Sequence, residues 1–156
     1  MSLSLRPMTD DEFAVYREQM VDGYAVDVAR SKGLSAEDGR ADAERQTSAL
    51  LPDGRATAGQ LLFLAVDDGA AVGTLWLSTT APTGIDAGWI YDVEIDASHR
   101  GKGYGREVML LAEQQCRQLG LTSLCLNVFG PNLVARRLYE SLGYEITSQT
   151  MAKPLD

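Results

Sequence analysis

The chain has 156 residues, 45% of them hydrophobic, which is enough for one buried core and predicts a single domain over 1-156. Its formal net charge of −8 excludes a nucleic-acid binder, whose affinity rests on clustered positive charge against phosphates. No segment approaches the ~20 apolar residues of a membrane span, and Met1 to Thr9 holds no run of signal-peptide length, so the expectation is a cytoplasmic protein with no membrane partner.

In chain order, Leu3 to Arg6 reads as a short strand, and Thr9 with Glu12 has the spacing of a capping box that opens a helix. Phe13, Tyr16, Met20, Tyr24 and Val28 mark that helix's buried face. Ser35 starts a second helix through about Leu50, interrupted by Gly39 and stopped by Pro52-Asp53-Gly54, and Arg55 to Gly59 reads as loop. Leu61 to Val66 and Ala71 to Ser78 form an antiparallel hairpin across Asp67-Asp68-Gly69. Ala81-Pro82-Thr83-Gly84 then breaks the chain before a long strand, Gly88 to Asp96.

The next helix carries Val108, Leu111, Ala112, Cys116 and Leu119 on one face and ends at Gly120. Thr122 to Val128 is a strand, a helix runs from Pro131 or Asn132 to near Gly143, and Tyr144 to Met151 forms a closing strand. These elements make a mixed α/β sheet with helices on its faces, but their order alone leaves several topologies open. Cys116 and Cys125 are too few for a disulfide framework and read as small buried hydrophobes. No His, Cys and carboxylate cluster has metal-ligand spacing, so no metal is expected.

The most informative stretch lies where the apolar strand ending in Ile95 runs into Arg100-Gly101-Lys102-Gly103-Tyr104-Gly105-Arg106. Alternating glycines let the backbone approach a ligand closely, and the helix that follows presents unpaired N–H groups and a positive dipole end to a pyrophosphate. Arg100, Lys102 and Arg106 add full charge. A P-loop would need Ser or Thr after Lys102, and a dinucleotide fingerprint would need glycine at Arg106, so neither fits.

Arg-x-x-Gly-x-Gly over Arg100 to Gly105 resembles the acyl-CoA pyrophosphate loop of the GNAT superfamily of N-acetyltransferases. A second segment, Leu126 to Glu145, is similar to the other half of that family's signature: an asparagine-containing loop after a strand, then a short helix carrying Tyr139 before Leu142-Gly143-Tyr144.

The resemblance implies a central, mostly antiparallel sheet with a V-shaped opening between two parallel strands, here Gly88 to Asp96 and Thr122 to Val128, and helices on both faces. It implies acetyl transfer from acetyl-CoA to a primary amine, on a small molecule or a protein, by direct attack. The pantetheine arm would pair with backbone groups of Val93, Glu94 and Ile95, and the segment Arg100 to Arg106, Tyr104 included, would hold the phosphates. Asn132 would touch the CoA arm and Asn127 would lie at the mouth of the cleft. Tyr139 matches the position of the general acid that protonates the leaving thiolate.

The base is less determined. In a regular strand Asp92 and Glu94 share one face, with Tyr91, Val93 and Ile95 on the other, and a bulge would change that parity. Glu94 is preferred to Asp92. His99 reads as a loop residue, and Arg136 and Arg137 as solvated charges or contacts to the nucleotide 3′-phosphate. A CoA-binding regulatory module without turnover is the alternative. No motif in Met8 to Arg55 identifies the acceptor, though the acidity of the chain favours a cationic amine. The oligomeric state stays open, a homodimer included.

Overall fold

Thr9 starts the first helix as its spacing predicts: its hydroxyl accepts from the Glu12 amide, and the Glu12 carboxylate accepts from the Thr9 amide at 2.9 Å. The Arg6 guanidinium grips the same carboxylate and, with the Thr9 amide, holds its pKa below the ordinary carboxylate range, down to about 2. The computed structural model describes residues 2–155, so Met1 lies outside it. Its residues form two compact units, one ending at Leu126 and one beginning at Asn127.

In the first unit, helix α1 (Asp10–Lys32) and helix α2 (Ala36–Leu50) form an antiparallel pair. The buried positions of α1 are Phe13, Tyr16, Val21, Ala25 and Val28. Met20 and Tyr24, expected at the centre of that face, are half-buried at its margin, because α1 packs on two sides. Phe13 and Tyr16 meet the sheet with Leu62 and Trp76, while Val21 and Ala25 meet Ala43 of α2.

Gly39 does not interrupt α2. It is buried against α1, and a Cβ there would stand 2.7 Å from the Ala29 Cβ and 2.8 Å from the Ala25 carbonyl oxygen. This glycine serves close helix approach rather than helix termination.

The sheet contains β1 (Leu3–Pro7), β2 (Gln60–Asp67), β3 (Ala70–Ser78), β4 (Gly88–Ile95) and β5 (Leu124–Leu126), neighbours in that order. The first four are antiparallel, and β5 is parallel to β4. The β2–β3 turn uses Asp68 at φ 50° and Gly69 at φ 80°, both left-handed as a tight twisted hairpin requires. One sheet face carries Leu62 and Trp76 beneath α1.

Helix α3 (Tyr104–Gln118) packs against β1, β3 and β4 through buried Val108, Met109, Ala112 and Cys116. Each large apolar side chain so buried is worth about 1.5–3 kcal/mol relative to exposure. Leu119, expected on this face, is 49% exposed where the helix ends.

In the second unit, Asn132 caps helix α4 (Leu133–Ser141) by accepting from the Ala135 amide at 3.3 Å. The strand expected at Thr122 to Val128 shortens to β5. Tyr144 to Met151 forms no strand. Its residues suit a strand, but Ile146 and Met151 are 56% and 90% exposed, so the run has no apolar face to bury.

Replacing Gly39 with alanine should destabilise the fold by about 1–3 kcal/mol despite alanine's better helix propensity, because the methyl group must force α1 and α2 apart. Urea unfolding of both proteins measures this.

Candidate active site

The antiparallel ladder between β3 and β4 slips by one residue at Tyr91: Trp76 faces Asp92, while Leu77 faces Ile90. Side chains alternate along a strand, so this bulge resets which face each residue occupies. Asp92 and Glu94 stand opposite Trp76 and Thr74 and share a face, as the alternation predicts. Tyr91 does not take the opposite face. Its ring centroid lies 4.7 Å from that of Trp76, and it packs against the core cluster beneath α1. Trp89, opposite Ser78 on the other side of the bulge, places its ring 6.3 Å from Tyr91.

The two carboxylates have different surroundings. The hydroxyl of the buried Tyr16 of α1 donates to Asp92 Oδ2 at 2.7 Å. Burial pushes the Asp92 carboxyl above its ordinary range, the Tyr16 hydrogen bond pulls it back, and the neighbouring Glu94 charge pushes it up again. Burial and the same two carboxylates raise Tyr16 well above the ordinary phenol range, so it remains a donor. The Glu94 side chain is 64% exposed and lies 3.4 Å from Arg100.

Parallel pairing of β4 with β5 covers only Gly88 to Ile90, and β4 continues to Ile95 beyond the end of that ladder. The V-shaped opening expected between these strands has its structural basis here. Val93, Glu94 and Ile95 lie on the part of β4 that β5 does not pair.

After Ile95 a single helical turn, Ala97–His99, leads into the glycine loop. Gly101 at φ 77° and Gly103 at φ 86° are left-handed, a conformation other residues adopt only with strain. Gly103 is the cap of α3 and, having no side chain, makes no capping hydrogen bond to the first-turn N–H groups that begin at Tyr104 and Gly105. Lys102 and Arg106 are exposed beside them.

Arg100 is held by its own strand: its Nε donates to the Ile95 carbonyl at 2.9 Å. Tyr104 enters the loop through its backbone, because its side chain is buried and its hydroxyl donates to Asp67 Oδ2 at 2.6 Å.

A match to the Acetyltransferase (GNAT) family extends over residues 24–144. The chain belongs to this family. It is 31% identical to the uncharacterized N-acetyltransferase YycN of Bacillus subtilis over 156 residues, covering 99% of this chain and 100% of YycN. The crystal structure of YycN superposes with a TM-score of 0.90 at 30% identity, covering 99% of each chain.

The uncharacterized N-acetyltransferase YdgE of Bacillus subtilis is 28% identical over 99% of both chains. A mycothiol acetyltransferase of Thermomonospora curvata is 41% identical over 83 residues, which are 53% of this chain and 27% of that protein. The mostly antiparallel sheet with one parallel pair is thus the GNAT fold.

In the second unit, Asn127 and Asn132 are exposed, and the Asn132 side-chain oxygen is engaged by its own helix. Tyr139 is half-buried on α4 with its ring 6.0 Å from Tyr144, and Arg136 pairs with Glu140 at 3.6 Å.

Sequence reasoning assigned Tyr16 to the core and missed its bond to Asp92. The available signal was a tyrosine on a buried helix face, since a buried phenol needs a partner for its hydroxyl. Along the α1 side of the sheet a groove of about 410 Å³ is lined by Tyr16, Val15, Leu64 and Thr74, with Asp11 and Asp96 beside them.

The Tyr104–Asp67 bond should make the two residues energetically coupled. Tyr104→Phe and Asp67→Asn should each lower the melting temperature, and the double variant should melt close to the less stable single variant, a non-additivity that thermal denaturation of the three proteins reads directly.

Proposed function

We propose that this chain is an acetyl-CoA-dependent N-acetyltransferase that acts on a primary amine by direct attack. The observation that carries the reading is the start of α3. A left-handed glycine cap with no side chain places the first-turn N–H groups of Tyr104 and Gly105, uncapped by Gly103, beside the exposed Lys102 and Arg106, which suits a pyrophosphate. The stretch Val93 to Ile95, paired with β3 but not with β5, supplies the second element, because the amides of a pantetheine arm can satisfy backbone groups on the side that β5 leaves without a ladder.

The reaction needs a neutral amine, a polarised thioester carbonyl and a proton for the departing thiolate. We assign the first task to a carboxylate of β4, Asp92 or Glu94, and the last to the Tyr139 hydroxyl. Asn127 and Asn132 are assigned to the CoA arm. The exposed Asn132 has its oxygen committed to the α4 cap, leaving its amide group to donate.

The acceptor is proposed to be cationic. The chain carries −8 overall, and the groove beside Tyr16 is lined by the apolar Val15 and Leu64 together with Asp11 and Asp96. Such surroundings favour an ammonium on an aliphatic stem. A cytoplasmic location completes the reading, since acetyl-CoA is an intracellular metabolite.

Isothermal calorimetry should detect acetyl-CoA binding, and Gly103→Leu should lose it while keeping the far-ultraviolet circular dichroism of the wild type. Equal binding by both proteins would remove the phosphate-loop assignment. An amine panel monitored by free CoA thiol should show turnover, with cationic amines first. Binding without thiol release from any amine would instead mark a regulatory module.

With the best acceptor, Tyr139→Phe should lower kcat by about 10²-fold and leave acetyl-CoA affinity little changed, provided chemistry limits the rate. Single-turnover measurements establish that condition.

A further inference from the structure

We infer that Tyr16 is a positioning residue that holds Asp92 as the proton acceptor for the amine. The inference rests on the acetyltransferase reading and chooses between the two carboxylates that reading leaves open.

The geometry sets them apart. Tyr16 lies on the buried face of α1, at 6% exposure, and its hydroxyl reaches across to β4 to meet Asp92 at 2.7 Å. A phenol so placed fixes one carboxylate oxygen and leaves the other available. Glu94, two residues on, is 64% exposed and has Arg100 as its ionic partner, so its charge is solvated and already countered.

The bulge adds a further asymmetry. It brings the Tyr91 ring onto the face of Asp92, and Trp89 stands beside Tyr91. Aromatic faces next to a carboxylate attract an ammonium group, and both rings are only half-buried. The groups that face Asp92 are the phenol of Tyr16 from α1 and, from its own strand, Tyr91 and the Glu94 carboxylate, which Arg100 pairs; opposite it on β3 stands the non-titrating Trp76.

The chemistry balances without a further reactant. One N–H proton of the acceptor ammonium passes to the Asp92 carboxylate, giving a neutral amine and a carboxylic acid. The freed lone pair attacks the thioester carbonyl, and the C–N bond forms as the C–S bond breaks. The second N–H proton passes to water, the thiolate takes one from the general acid, which water reprotonates, and Asp92 releases its proton to solvent, so that ammonium and thioester give amide, CoA thiol and one proton.

Burial and Glu94 raise the Asp92 titration, whereas the Tyr16 hydrogen bond lowers it. Removing that bond must therefore raise it further. A higher value shifts the ionised, active fraction of Asp92 to higher pH, and the acid limb of the rate profile must follow.

The test compares wild type, Tyr16→Phe, Asp92→Asn and Glu94→Gln with the panel amine of highest kcat/KM. In Tyr16→Phe the acid limb of kcat/KM should move up by about one pH unit, and rates at high pH should return to within several-fold of wild type. The Asp92 carboxyl, followed by carbon-13 NMR in the free protein, should move by the same amount. The acetyl-CoA dissociation constant should not change.

Asp92→Asn should lose the limb together with about 10²-fold or more in kcat/KM. Glu94→Gln should retain the limb. An unmoved limb in Tyr16→Phe alongside a shifted Asp92 resonance, or a limb abolished by Glu94→Gln and kept by Asp92→Asn, would overturn the inference while transfer itself persisted. Absence of transfer to every amine, with acetyl-CoA still bound, would overturn the transferase reading on which it rests.

Discussion

The site depends on a parallel ladder that stops after three residue pairs. Gly88, Trp89 and Ile90 pair with β5, and the bulge in the β3–β4 ladder falls at Tyr91, the next residue. A bulge sharpens strand twist and bends the strand that carries it. The parallel ladder thus ends, with β5, where the bulge begins, and the bulge resets the side-chain parity of the rest of β4. Tight packing fixes its start: a Cβ on Gly88 would lie 2.7 Å from the Cys116 sulfur of α3, so this end of the strand is clamped while the far end is released.

Release on one side is matched by restraint on the other. β4 remains paired with β3 through Ile95, and Gly73 lies so close to it that a Cβ would stand 2.4 Å from the Glu94 carbonyl oxygen. Two glycines thus hold β4 against neighbours of different kinds, a helix at its start and a strand at its end. Between them the Asp92 carboxylate receives a hydrogen bond from α1, which couples the strand to the first helical pair.

Much of this was legible in the sequence because it is locally encoded. The Thr9–Glu12 box, the Asp68-Gly69 turn and the glycine loop each place a residue type where a short-range backbone requirement exists, and each has the expected geometry. The features that were not legible arise from distant partners. Nothing around Tyr91 announces a bulge, since the slip is defined only against Trp76 and Leu77 of another strand.

Gly39 carries the same residue type as a helix stop, and only the approach of Ala29 gives it a different purpose. Tyr16 has helical periodicity, which reports burial but not the hydrogen bond that burial demands. The Tyr144 to Met151 run has strand-like composition without a buried face, and composition cannot report what a neighbouring surface provides.

The tie between Tyr104 and Asp67 has a consequence for engineering. Tyr104 is the first residue of α3, and Asp67 is the last residue of β2, so the helix start is moored to a hairpin outside the motif that defines it. Transplanting Arg100 to Arg106 onto another strand–helix junction would carry the glycines and cations but leave that mooring behind. The motif is portable as a string of letters; its aim belongs to the host scaffold, and a graft would have to bring an acceptor for the tyrosine with it.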